Sequence, residues 1–219
     1  MFDMDGTLMK GSACLELSRH MGKLGQVEAM EESWGRGEVG HVAFYDFLLK
    51  IWHGLDDVDV PGVVERSPWL GGIREVCRDI GNRGEHSCVV SMSPQFFVDH
   101  LLEWGFNSVH GAGVHPDWPL QATDVLLPEG KVEVVTDLLD RYGLGIEDVV
   151  AYGDSASDLP LFRLLPNSVA VNASERLREV AAAVYDGTDL RQAYVLGRSL
   201  LGKGGHVSSA ASLDGRRAR

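Results

Sequence analysis

The spacing of apolar and polar residues changes character along this chain. Between residues 12 and 66 the apolar positions recur at helical intervals, as at Leu15, Leu17, Met21 and Leu24. The run from His41 to Trp52 is apolar over more than half of its circumference, which predicts a well-buried helix. Gly35, Gly37 and Gly40 punctuate the stretch before it. From about residue 69 short apolar runs alternate with amphipathic ones. Helices are predicted over 72–82, 94–104 (with Pro94 in its first turn), 131–142, 158–165 and 174–183. Strands are predicted over 88–90, 107–110, 148–152 and 169–171, and the Gly- and Pro-bearing stretch 111–127 reads as a hairpin. Strands alternating with helices predict an α/β fold with a doubly wound parallel sheet, covered on both faces. The expected division is a core of residues 1–10 and 70–200, a small helical insertion at 11–69 after the first strand, and a disordered tail at 201–219.

Charge and composition narrow the partners. The 219 residues carry a formal charge of −12, which argues against nucleic acid or an anionic membrane, since both require a basic face. No apolar run approaches the length of a membrane span. Asp3 and Asp5 interrupt the amino terminus at once, so no signal peptide is read, and a cytoplasmic location is expected. Only Met1 and Phe2 precede Asp3, a short lead for a strand, which leaves room for an earlier natural start. Cys14, Cys77 and Cys88 lack CxxC spacing and read as free thiols of a reducing compartment. A homodimer is compatible with the composition.

In doubly wound sheets, ligands bind beyond the carboxyl ends of the strands. Four predicted ends carry suggestive groups: Asp3-Met4-Asp5-Gly6-Thr7, Ser91-Met92-Ser93, Gly130-Lys131, and Gly153-Asp154-Ser155-Ala156-Ser157-Asp158. Residues two apart in extended chain point the same way, so a turn at Gly6 leaves Asp3 and Asp5 on one rim. Asp154 and Asp158 occupy a strand-to-helix turn of the same sheet. Converging carboxylates repel by about 4 kcal/mol per pair at 4 Å and an effective dielectric near 20. A hard divalent cation relieves that repulsion, and Mg²⁺ with a substrate phosphate suits this donor set. Lys131 and Ser91 add donors without further negative charge. A carboxylate nucleophile, a second carboxylate, a metal and a cation suit phosphoryl transfer through an acyl phosphate. Other readings fail on spacing. Counting an EF-hand from Asp3 puts Cys14 where the twelfth-position acid belongs, Gly130-Lys131 lacks the P-loop pattern, and Gly111-Ala112-Gly113 lacks the third glycine of a dinucleotide site.

These four motifs, in this order, resemble the haloacid dehalogenase superfamily, and most closely its phosphoserine-phosphatase-like branch. The resemblance implies a Rossmann-like core with the insertion as a cap over the site. It implies Asp3 as nucleophile, Asp5 as general acid and base, and Mg²⁺ held by Asp3, the Asp5 carbonyl and Asp154. Asp158 would orient Lys131 and a metal-bound water, with Ser155 and Ser157 beside it. Ser91, Met92, Ser93, Lys131, Gly6 and Thr7 would surround the phosphate. The implied activity is hydrolysis of a phosphate monoester of a small metabolite. A phosphoserine phosphatase proper, a phosphotransferase or mutase of the same family, and a phospho-accepting signalling module are the alternatives. Asp5 favours ester hydrolysis over dehalogenation, because an alcohol leaving group needs a proton and a halide does not. The chain departs from the branch at Ser12, where a Glu is usual, in having no arginine within His41–Trp52, in Met92 for a small Gly, and in Ser157 for Asn. Arg36 is the candidate substitute for the missing arginine.

Overall fold

A computed structural model describes residues 1–55 and 58–202. Helices α1 (Ala13–His20), α2 (Leu24–Gly35), α3 (His41–Ile51) and α4 (Val60–Arg66) form the insertion. Then follow α5 (Ile73–Asn82), β1 (Cys88–Pro94), α6 (Gln95–Val98), β2 (Ser108–Ala112), α7 (Pro128–Tyr142), β3 (Val150–Gly153), α8 (Leu159–Leu164), β4 (Asn167–Val171), α9 (Glu175–Arg178), β5 (Ala183–Tyr185) and α10 (Leu190–Leu200). The β1–β2, β3–β4 and β4–β5 pairings are all parallel.

The amino-terminal segment joins these strands into one sheet. Phe2 bridges Val89 on one side and Tyr152 on the other, both parallel, giving the order β2–β1–segment 1–3–β3–β4–β5. Four backbone hydrogen bonds of 2.9–3.0 Å hold it: Phe2 N to Cys88 O, Val90 N to Phe2 O, Asp3 N to Tyr152 O, and Tyr152 N to Met1 O. The Phe2 ring is buried, stacked on Tyr152 at 4.5 Å and edge-on to Phe106 at 5.7 Å. So the short lead forms a central strand, fixed by its neighbours and by one large aromatic rather than by its own length.

After Asp3 the chain folds back in a tight turn, with Leu8 N and Met9 N both donating to Met4 O. The two ends of the helical insertion are tied together: Met9 bridges Trp69, Lys10 N donates to Pro68 O, and Leu70 N donates to Leu8 O. The apolar faces of α1 and α3, with Leu17, Phe44, Leu48 and Trp52 buried, belong to the same hydrophobic cluster as Phe2 and Val89 of the sheet. Trp52 donates its indole N–H to Ser18 Oγ at 2.9 Å, so a fully buried polar atom has a partner.

Several predicted elements differ. The helix predicted over 94–104 is a single α turn, α6, followed by a 3₁₀ stretch over Asp99–Trp104, and Pro94 closes β1 rather than opening the helix. No hairpin forms over 111–127; after Ala112 the stretch holds a turn at His115–Trp118, a 3₁₀ turn at Ala122–Asp124 and the bond from Gly113 N to Asp124 O. Helix α7 begins at Pro128, three residues earlier than predicted, with that proline in its first turn. The helix predicted over 174–183 stops at Arg178, and Ala183–Tyr185 pairs with β4 instead. Helix α10 was not among the predicted elements. The predicted tail lies outside the described residues from 203 onward. Among the described residues no helix is long and apolar enough to cross a membrane, and Cys14, Cys77 and Cys88 are free.

Candidate active site

Each motif reaches the site from the carboxyl end of a parallel strand or from the first turns of a helix. Asp3 ends the central segment, Ser91–Ser93 lie toward the end of β1, Lys131 lies in the first turns of α7, and Asp154 follows β3. A cavity of about 340 Å³ is lined by ten of the predicted site residues: Asp3, Asp5, Gly6, Ser91, Met92, Ser93, Lys131, Asp154, Ser155 and Ser157. Thr7 and Asp158 are buried behind that lining. Thr7 Oγ1 donates to Asp154 Oδ1 at 3.4 Å. All twelve predicted positions are therefore in or against one place. A larger cavity of about 510 Å³, lined in part by Met1, Ile80, His86 and Asp148, opens at the amino ends of the strands and contains none of them.

Lys131 is the electrostatic centre. Its side chain is only 1% exposed, and its ammonium donates to Asp3 Oδ1 at 2.8 Å and to Asp158 Oδ1 at 2.9 Å. Its third, longer contact is to Ser157 Oγ at 3.2 Å. Burial alone would lower the lysine pKa, but the carboxylates of Asp158 and Asp3 outweigh it and hold the group firmly charged. Asp158 is fully committed, because its other oxygen accepts from the backbone N–H of Asp154 at 3.1 Å and of Ser155 at 3.3 Å. Gly153 is what allows this turn to close, since a Cβ there would lie 2.6 Å from the Asp158 carboxyl carbon.

Lys131 is shared between Asp3 and Asp158, which leaves Asp154 with no cation of its own among the described residues. One carboxylate oxygen each from Asp3, Asp154 and Asp158 lies within 4.8 Å of the others. Burial first, and then the neighbouring Asp3 and Asp158 charges, push Asp154 well above the usual carboxylate range; burial and Asp158 do the same to Asp3. That frustration fits a hard dication with oxygen ligands. Since both oxygens of Asp158 are occupied, Asp3 and Asp154 are the carboxylates with coordination to spare. Gly6 makes room for this arrangement. It has φ +78°, and a Cβ there would lie 2.1 Å from Asp154 Oδ2.

Asp5 faces the insertion. Its Oδ1 accepts from Ala13 N, at the start of α1, at 3.0 Å, and its Oδ2 accepts from Ser93 Oγ at 2.5 Å. Burial pushes its pKa up to about 6, against the lowering effect of those two donors. Ser91 Oγ accepts from Ser93 N at 3.1 Å, so its own O–H is free to donate into the cavity. The Tyr45 hydroxyl of α3 donates to Met92 O and ties the insertion to the β1 turn.

The rest of the cavity wall comes from the helical segment, where the aromatic residues Trp34, Phe44 and Tyr45 read from sequence mainly as core, with one or two facing the substrate, and Glu31 carries no signal. Gly11, Ser12, Cys14, Glu31, Trp34, Phe44 and Tyr45 line it. Glu31 accepts from Ser12 Oγ, and burial pushes its pKa up to about 7. The pair Glu31-Glu32 reads in sequence as an ordinary solvated helix face, so nothing marked it. Arg36 does not approach the cavity. It caps the end of α2, its side chain 56% exposed, and its guanidinium is on Glu38 at 2.8 and 2.9 Å.

A family model for haloacid dehalogenase-like hydrolases matches residues 1–163. The chain belongs to that family. It is 28% identical over 195 residues to phosphoserine phosphatase SerB2 of Mycobacterium tuberculosis, covering 83% of this chain and 46% of that protein. It is 27% identical over 186 residues to phosphoserine phosphatase of Archaeoglobus fulgidus, covering 82% of this chain and 54% of that one. The chain thus spans about half the length of these two relatives. Its fold is shared with a solved structure described as a phospho-aspartyl intermediate analogue of phosphoserine phosphatase, at TM-score 0.72 and 20% identity, covering 89% of this chain and 95% of that one. The doubly wound α/β architecture read from the sequence is the architecture of this family.

Proposed function

We propose that the protein is a Mg²⁺-dependent phosphomonoesterase working through an acyl phosphate on Asp3. The observation that supports this most is the buried Lys131 ammonium held between Asp3 and Asp158, with Asp154 and Asp5 on the same small cavity. The Asp3 and Asp154 carboxylates, with the Asp5 carbonyl that the family pattern adds, would hold the Mg²⁺. When bound, the ion would neutralise phosphate charge so that an anionic nucleophile can approach an anionic substrate.

The chain's own groups account for the remaining steps. The Ser91 hydroxyl donates to a phosphate oxygen, and Lys131 turns its weakest contact, the one to Ser157, toward another. An Asp3 oxygen attacks phosphorus and the ester P–O bond breaks. Asp5 gives its proton to the departing alcohol oxygen, then takes one from the water that attacks the acyl phosphate, and Asp3 returns as a carboxylate. A carboxyl poised near pH 6 exchanges protons readily in both directions at neutral pH. The insertion, pinned through Ala13 N on Asp5 and Tyr45 on Met92, would act as a cap that keeps bulk water out. The backbone bonds at Lys10 and Leu70, which close the base of the segment, support residues 11–69 as the extent of that cap.

Asp3→Asn tests the assignment. Hydrolysis of p-nitrophenyl phosphate with Mg²⁺ should fall by about 10³-fold or more while the circular dichroism spectrum is kept. Turnover within tenfold of wild type would reject Asp3 as nucleophile.

A further inference from the structure

The half of the cavity that would hold the leaving group has a distinct chemistry. Its walls come from α1–α3: Ser12, Cys14, Glu31, Trp34, Phe44 and Tyr45. The rings are continuous. Trp34 stacks on Phe44 at 5.1 Å, and Phe44 meets Tyr45 edge-on at 5.6 Å. Glu31 brings a carboxylate to this wall, and its one side-chain partner among the described residues is the neutral Ser12 hydroxyl. Among the described residues lining the cavity, Lys131 is the one cation, and it is taken by Asp3 and Asp158. Arg36, the cation nearest in sequence to Glu31 on its C-terminal side, is turned to Glu38 at the surface.

Resting on the phosphatase reading above, we infer that the alcohol released carries an ammonium group and no carboxylate: the substrate is a phosphorylated amino alcohol, with Glu31 as counterion and the Trp34–Phe44–Tyr45 wall against the cation. A Glu31 carboxylate with no cation of its own gains one from such a ligand. Aromatic faces attract ammonium ions through their quadrupole, and methylated ammonium ions most usefully, because they are weakly hydrated. A carboxylate on the leaving group would instead sit between Glu31 and Asp5 with no cation to receive it, which is selection by repulsion. A neutral polyol would fit the rings but leave the Glu31 charge unanswered.

The test compares kcat/KM of the full chain with Mg²⁺ on O-phosphoethanolamine, phosphocholine, O-phosphoserine, glycerol 3-phosphate and p-nitrophenyl phosphate. The inference expects at least one of the two amino-alcohol phosphates to exceed phosphoserine and glycerol phosphate by tenfold or more. It also expects Glu31→Gln to collapse the ratio between that substrate and glycerol phosphate to within threefold of one, and Glu31→Asp to retain part of it. Phosphoserine or glycerol phosphate in first place, with good hydrolysis of the aryl phosphate, overturns this inference and leaves the phosphatase reading intact. An unchanged ratio in Glu31→Gln removes Glu31 from the recognition. No hydrolysis of any of the five, the aryl phosphate included, overturns the phosphatase reading and this inference with it.

Discussion

Removing the Lys131 ammonium is the perturbation whose consequences the structure constrains best. In Lys131→Met the stem volume is nearly kept, so the change is one of charge. Two buried carboxylates, 2.8 and 2.9 Å from the nitrogen, lose their shared cation. Breaking a buried ion pair by deleting one partner typically costs 3–5 kcal/mol, because the survivor is left uncompensated. A chain of this size loses about 2–4 °C of Tm per kcal/mol, so a drop of roughly 6–20 °C follows. The sign of the pH dependence is fixed too. Asp3 already has a folded pKa above its unfolded value, so its contribution to stability is present at low pH and is lost as pH rises toward neutrality. Without the ammonium that pKa rises further. At pH 5 the variant and wild type both keep Asp3 protonated and differ least; at pH 8 the variant must bury a bare carboxylate or hold a proton against the solvent, and the gap widens. Mg²⁺ should narrow the gap, since it supplies the missing positive charge. Urea unfolding at pH 5 and pH 8, with and without Mg²⁺, measures all of this. A loss below about 1 kcal/mol that is flat with pH would refute the claim that this lysine is an ion-paired hub.

Two further substitutions separate roles within the site. Asp5→Asn should lower kcat/KM on an alkyl phosphate by about 10²–10⁴-fold but affect p-nitrophenyl phosphate far less, because nitrophenolate leaves without a proton; equal losses on both would remove Asp5 as the acid. Gly6→Ala combines a Cβ 2.1 Å from Asp154 Oδ2 with a left-handed φ of +78°, and should raise the Mg²⁺ concentration for half-maximal activity by about 10–100-fold; an unchanged Mg²⁺ titration would separate Gly6 from the metal position.

The parallel sheet and the site's inner half were legible because chemistry and spacing coincide there. Asp3, Asp5, Lys131, Asp154 and Asp158 each fall at a strand end or in the first turns of a helix, where such residues have no structural reason to cluster. The misread elements have physical causes. Ala181–Tyr185 is a short apolar run, and periodicity alone does not separate a buried strand from a buried helix at that length. Arg178, the last residue of α9, turns its guanidinium to Ala173 O and Asp186, contacts made only after the chain has folded back. Beyond Ala112, where β2 ends, the stretch to residue 127 alternates like a hairpin but has no partner strand; its prolines at 116 and 119 remove the donors a ladder needs. Helix α10 was readable, since Leu190, Ala193, Tyr194 and Gly197 form its buried face at helical spacing behind an Asp189 cap. The outer half of the cavity was not. Glu31 belongs to the site only because α2 packs beside Ser12, and that is a tertiary fact.

The proposed reaction requires a covalent bond between Asp3 and phosphorus. Rapid acid quench during turnover of a phosphate ester, followed by borohydride reduction and peptide mass analysis, looks for it directly. The expected result is conversion of Asp3 to homoserine in wild type and its absence in Asp3→Asn. A protein that turns over with no reducible acyl phosphate, or with phosphate found on Ser91, Ser93 or Asp5 instead, would contradict it.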